Sequence, residues 1–144
     1  MPELPEVETV RRGLADLLPG QAVVRATVFD SPKSFPNSPT DVQQFLYGAH
    51  VTAVRRRAKV LMIDLDTRYS LVIHLKMTGQ LIFRGANSFA GGHPNDSLIG
   101  ELPDRSTRVQ IDFTDGSHLF FNDQRKFGWM KLMPTDEIEN LPFM

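Results

Sequence analysis

The sequence contains no cysteine, which excludes disulfides and cysteine-ligated zinc from these 144 residues. It also lacks any apolar run approaching the roughly 18–20 residues of a membrane helix. The opening Met-Pro-Glu-Leu-Pro-Glu is acidic and has neither the basic start nor the apolar stretch of a secretory signal. A cytoplasmic location is the expectation. Charge of one sign is missing as well: the net value is −1 at pH 7. Domains that bind nucleic acid are often strongly basic as a whole, so any such surface here must come from local clustering. Arg55, Arg56, Arg57 and Lys59 form one cluster, Arg125 and Lys126 another.

What is present suits one domain with a core. Apolar residues make up 41% and charged residues 23% of the chain. Val7, Val10, Leu14, Leu17 and Leu18 fall at helical spacing, predicting a helix over 4–18. Pro5 fits its first turn, Glu3, Glu6 and Glu8 complement its dipole, and Pro19-Gly20 stops it. Thr40 and Gln43 have capping-box spacing, predicting a short helix over 40–47 closed by Gly48.

The remainder reads as strands: 22–29, 51–57, 59–64, 70–76, 79–84, 108–113, 117–121 and 128–132. Asp115-Gly116 predicts a two-residue hairpin turn. Residues 87–106 are rich in Gly, Pro and Asn and read as a mobile loop. Short antiparallel strands of this kind close into a sandwich or a barrel. The expected fold is mainly β (α+β): an antiparallel two-sheet β-sandwich flanked by the N-terminal helix and a second short helix. Residues 1–133 read as that domain, and the polar, proline-flanked 134–144 as the start of an interdomain linker.

Four motifs carry a family resemblance. Pro2-Glu3-Leu4-Pro5-Glu6-Val7-Glu8-Thr9-Val10 opens the chain. Arg56-Arg57-Ala58-Lys59 and His74-Leu75-Lys76-Met77-Thr78-Gly79 follow, and Asp123-Gln124-Arg125-Lys126-Phe127-Gly128 comes last. In this order they resemble the N-terminal catalytic half of formamidopyrimidine-DNA glycosylases. Leu4 stands where the related endonuclease VIII branch usually has Gly, and so favours the branch acting on oxidised purines. The resemblance implies a base-excision repair enzyme that removes formamidopyrimidine and 8-oxoguanine from duplex DNA and then cleaves the abasic site. It further implies a bacterial, nucleoid-associated monomer. Family members continue into a second half with a helix–two-turn–helix and a zinc finger. No cofactor is expected within the present residues.

The resemblance also assigns roles, several of which stand against a plainer alternative. Pro2, once Met1 is removed, would present a secondary amine. A free α-amino group titrates near pH 7.7–8.0, and the adjacent helix start disfavours its ammonium form. Such an amine can form a Schiff base with a sugar carbon. Glu3 would protonate the sugar ring oxygen, or merely complement the helix dipole. Glu6 would hold Pro2 or the helix start through hydrogen bonds, a supporting role. Lys59 would reach the damaged nucleotide, or lie on a solvated basic edge. His74 would contact phosphate, or be a core histidine; no metal-ligand spacing surrounds it. Met77, Arg125 and Phe127 would fill the void left by an extruded base, although Met77 and Phe127 could equally be core. Lys126 would contact phosphate, without the bidentate geometry of the arginine usual there. Arg55, Arg56 and Arg57 are further candidates for phosphate contact.

Overall fold

A computed structural model describes residues 2–142. The N-terminal apolar stripe forms helix α1 (Leu4–Leu17), whose buried residues are Val7, Val10 and Leu14. The strands that follow are β1 (Val23–Val28), β2 (Val51–Arg57), β3 (Val60–Leu65), β4 (Tyr69–His74) and β5 (Gly79–Arg84). After them come β6 (Phe89–Gly92), β7 (Thr107–Phe113), β8 (His118–Asp123) and β9 (Trp129–Pro134). A second helix, α2 (Pro39–Phe45), lies between β1 and β2.

The strands pair antiparallel in two sheets, ordered β1-β7-β8-β5-β6 and β2-β3-β4-β9. Their facing sides meet in one core that includes Leu61, Ile63, Leu71, Ile73, Leu81, Ile111 and Phe121. The expected fold class is therefore the observed one.

β3 is buried on both faces for a specific reason. Leu61 and Ile63 enter the main core, while Val60 and Met62 face a second cluster with Val72 and Ile138. Ile138 sits on a 3-10 turn, Thr135–Asn140, in the segment read from sequence as linker. That turn covers the outer face of the four-stranded sheet.

Three local expectations are corrected. Residues 87–106 contain a strand, β6, and a 3-10 turn, Asp96–Leu98. β6 extends the larger sheet and packs on α1. A Cβ built on Gly13 of α1 would lie 2.3 Å from the Phe89 ring, and one on Gly91 would lie 2.8 Å from Val10. Composition hid this strand because its glycines serve close packing rather than chain freedom. The cap of α2 is Ser38, whose hydroxyl accepts the Asp41 N–H at 3.2 Å; Pro39 takes the first turn, so Thr40 lies inside the helix. The β7–β8 loop has three residues, not two. Phe113 N–H bonds Ser117 C=O at 3.0 Å, and Gly116 takes φ +88°. A turn with only its last residue left-handed selects the three-residue hairpin.

Candidate active site and nucleic-acid interface

The N-terminal motif folds onto the start of α1. Pro2 is buried, and Glu3 is the extended N-cap residue. The Glu3 backbone N–H donates to Glu6 Oε2 at 2.6 Å. This satisfies an orphan donor at the helix mouth and fixes the peptide that follows Pro2. Met1 lies outside the described residues, and so does the question of its removal.

Lys59 approaches from the β2–β3 hairpin. Arg57 pairs with Val60, so Ala58 and Lys59 are the turn itself. Lys59 thus stands at a turn tip rather than opening a strand. Ala58 holds φ +50°, unusual for a residue with a Cβ. From there Lys59 Nζ donates to Glu3 Oε1 at 3.2 Å. The two residues are 56 positions apart in sequence and come from different elements.

The three arginines before Lys59 are engaged within the protein. Arg55 grips Asp64, with bonds of 2.5 and 3.0 Å. Arg57 pairs with Glu139. Arg56 Nε donates to Glu8 at 2.9 Å, and its Nη1 donates to Ala58 C=O at 3.0 Å. Arg56 therefore ties α1 to the turn that carries Lys59. Arg11, Arg56 and Arg12 all donate to Glu8 and hold its carboxyl far below the ordinary carboxylate range.

His74 ends β4 beside both Val60 and Trp129. Its Nδ1 accepts the Lys76 N–H at 3.0 Å, which requires that nitrogen to be unprotonated. Burial pushes the His74 pKa below 6.5, and the charges of Lys76 and Lys59 push it the same way. The imidazole is thus biased neutral, and its ring lies 6.0 Å from that of Trp129.

The other motifs form two adjacent loops at one rim of the larger sheet, where Gly79 of β5 pairs with Asp123 of β8. Met77 is 40% exposed and Phe127 57% exposed, so neither is core. Arg125 is exposed too, and its Nη1 meets Met77 Sδ at 3.7 Å. The Arg125–Phe127 stretch is not extended, because Lys126 takes φ +60°. Lys126 Nζ caps Asp30 C=O at 3.4 Å. A groove of about 540 Å³ beside these loops is lined by Lys33, Lys76, Met77, Lys126, Phe127, Gly128 and Trp129. Three cations and two exposed apolar side chains in one groove suit a polyanion with stacked bases.

Sequence reasoning missed two parts of this site. Lys33 comes from a 3-10 turn far away in the chain, and no motif marks it. Asp123 stood within a quoted motif, but its contacts did not follow from spacing. Among the described residues, no group of three or more His, Cys, Asp or Glu could hold a metal ion. No helix there is long and apolar enough to cross a membrane.

The geometry defines a two-sheet β-sandwich domain with a Pro-Glu pair and a lysine at the mouth of its first helix and a basic rim that carries exposed apolar side chains. The chain matches the formamidopyrimidine-DNA glycosylase N-terminal domain over residues 1–130 and belongs to that family. It is 44% identical over 137 residues to a formamidopyrimidine-DNA glycosylase of Jannaschia sp. (strain CCS1), covering 94% of this chain and 46% of the relative. It is 39% identical over 133 residues to that of Chloroflexus aurantiacus, covering 92% of this chain and 43% of the relative. Among solved structures, it superposes on wild-type Lactococcus lactis Fpg (MutM) bound to an N7-benzyl-Fapy-dG containing DNA. The TM-score is 0.77 at 27% identity, with 96% of this chain and 46% of that chain covered. A complex of the same protein with DNA containing an abasic site gives the same TM-score and coverage. The chain spans about half the length of the curated relatives it matches.

Proposed function

We propose that this chain is the catalytic half of a bifunctional glycosylase and abasic-site lyase that removes oxidised purines from duplex DNA. The observation that carries the reading is the pairing of Glu3 with Lys59 beside the buried Pro2 at the mouth of α1. Three groups of complementary chemistry meet there: an amine once Met1 is removed, a carboxyl and an ammonium.

In the reaction, the Pro2 nitrogen attacks C1′ of the damaged nucleoside and forms a C–N bond. Glu3 protonates the ring oxygen as the sugar opens, and the bond from C1′ to the base breaks with its electron pair leaving on the base. The resulting iminium withdraws electrons and acidifies C2′–H. Loss of that proton expels the 3′ phosphate, and a second elimination expels the 5′ phosphate. Water then releases the sugar fragment and restores the amine. Glu6 holds the helix start, and Lys59 meets the incoming nucleotide.

Met77, Arg125 and Phe127 enter the stack where the base has left. Arg125 offers several donors to the orphaned cytosine. His74 and Lys126 contact phosphate. The reading assigns further phosphate contacts, and a structural zinc, to a second half of the parent protein. Monomeric action in the bacterial cytoplasm follows from the same reading.

The test is borohydride trapping of the full-length parent on DNA carrying an abasic site. A covalent adduct is expected, and it should vanish in Pro2→Gly and in a protein with an N-terminal extension. An adduct that survives both changes excludes Pro2 as the nucleophile. Absence of any adduct from the processed parent removes the lyase assignment.

A further inference from the structure

We infer that Asp123 is a positioning residue that joins the Met77 loop to the Arg125–Phe127 loop, so that both enter the duplex as one wedge. The inference rests on the glycosylase reading above. Asp123 is the last residue of β8 and is 0% exposed. Its Oδ1 accepts the hydroxyl of Thr78 and, at 3.2 Å, the N–H of Arg125. Its Oδ2 accepts the N–H of Gly128 at 2.6 Å. One carboxylate therefore bonds the residue after Met77 and the residues on either side of the Lys126-Phe127 tip.

The clamp is built on fixed ground. The Asp123 N–H donates to Ser106 C=O at 2.8 Å. Arg108, 6% exposed, donates from Nε to the Asp123 C=O at 2.9 Å. The Thr78 hydroxyl also lies 3.3 Å from the Arg125 N–H, which closes a ring of bonds across the two loops. Gly128 is required for the approach. A Cβ there would lie 2.8 Å from His74 C=O and 2.9 Å from Asp123 Oδ2.

Taking a carboxylate out of water is costly unless its oxygens are fully bonded. The bonded partners of this carboxylate, Thr78, Arg125 and Gly128, all belong to the two loops. What it holds are two loops whose tips, Met77 and Phe127, are 40% and 57% exposed. Without the clamp each probe would have to be ordered separately on insertion. With it the ordering is done in advance.

The experiment uses the full-length parent with Asp123→Asn, Thr78→Val and Thr78→Ser. Asparagine keeps the shape but replaces one acceptor oxygen by an amide NH2, which donates and cannot accept an N–H or O–H. Unstacking is followed by 2-aminopurine fluorescence beside the lesion, and covalent chemistry by borohydride trapping on a single-stranded abasic oligonucleotide. D123N should slow the fluorescence rise and duplex turnover at least tenfold. Thr78→Val should slow them less, and Thr78→Ser should restore them to within twofold. Single-strand trapping needs no wedge and should change less than threefold in every variant.

A fluorescence rise in D123N as fast as wild type overturns the inference, as does an equal loss on single-stranded and duplex DNA. Should D123N fail to fold, the Thr78→Val and Thr78→Ser pair decides on the same readouts. A wild-type parent that unstacks the lesion but never traps removes the lyase reading. The coupling is then judged by fluorescence alone.

Discussion

Lys59 Nζ lies 3.2 Å from Glu3 Oε1, linking a hairpin turn to the cap of the first helix. Both groups are partly open to solvent, with side-chain exposures of 32% and 56%. An ion pair so placed contributes little to stability, about 0–1 kcal/mol. On the proposed reading, its use lies in what it sets beside Pro2: a carboxylate that can take up and pass on a proton, and a cation facing the nucleotide. Glu3→Gln should therefore lower base excision by about 10²–10⁴-fold, the usual worth of a positioned acid, while the thermal midpoint hardly moves. Single-turnover kinetics with the full-length parent checks this. A wild-type rate would remove Glu3 from the chemistry.

The state of His74 gives a pH prediction. Its pKa is depressed below 6.5 by burial, aided by Lys76 and Lys59. The unfolded chain then binds the proton more readily than the folded one. Stability from a neutral His74 is fully present above pH 6.5 and is lost as pH falls through the lower folded value. Protonation also breaks the bond from the Lys76 N–H to Nδ1. NMR titration should place the His74 midpoint below 6.5, and His74→Gln should flatten the stability profile in that window. A midpoint at or above 6.5 contradicts the assignment.

Glu8 makes a second titration prediction with the same sign. Bonds from Arg11, Arg56 and Arg12 depress its pKa from 4.5. The stability this brings is present above pH 4.5 and disappears as pH falls below it. Arg56→Ala also removes the tie to Ala58 C=O. That variant should therefore show a shallower acid limb in thermal melts and a higher KM, because the Lys59 turn loosens. An unchanged acid limb would show that Arg56 is not coupled to Glu8.

Gly13 tests the packing of β6 on the first helix. Alanine in place of an interior helical glycine ordinarily stabilises by roughly 1 kcal/mol. Here the added Cβ would fall 2.3 Å from the Phe89 ring, and overpacking costs about 1–3 kcal/mol. Overpacking should win, so Gly13→Ala is expected to lower the thermal midpoint. Adding Phe89→Leu should restore part of the loss. A raised midpoint in the single variant would mean that β6 does not press on α1.

The lysine groove predicts a salt signature. Lys33, Lys76 and Lys126 line it together. The chain by itself should bind duplex DNA weakly, with affinity falling steeply as salt rises. Each lysine changed to alanine should reduce the slope of log K against log salt by about 1. Fluorescence anisotropy over a salt series measures this. A slope indifferent to all three would place the phosphate path elsewhere.

Much of this protein was legible before folding. The apolar stripe of α1 and the alternating strands follow from periodicity, Asp115-Gly116 marked the place of the β7–β8 hairpin though not its length, and the residues of the four motifs could be named. The exceptions share a cause. β6 was obscured because Gly91 and Gly92 resemble loop residues until Val10 and the backbone of Gly79 and Gln80 are seen against them. The 134–140 segment is polar enough to read as linker, yet Ile138 covers Val60, Met62 and Val72. A single apolar residue in a polar segment carries no periodic signal.

By itself, the sequence determined the class of fold and the inventory of reactive groups, because both depend on patterns a few residues long. Only the tertiary structure decided which of those groups meet. Glu3 and Lys59 are 56 residues apart, Thr78 and Asp123 are 45 apart, and Arg56 and Glu8 are 48 apart. Each pair is brought together by strand register and helix packing across the sandwich, and no local spacing contains that information.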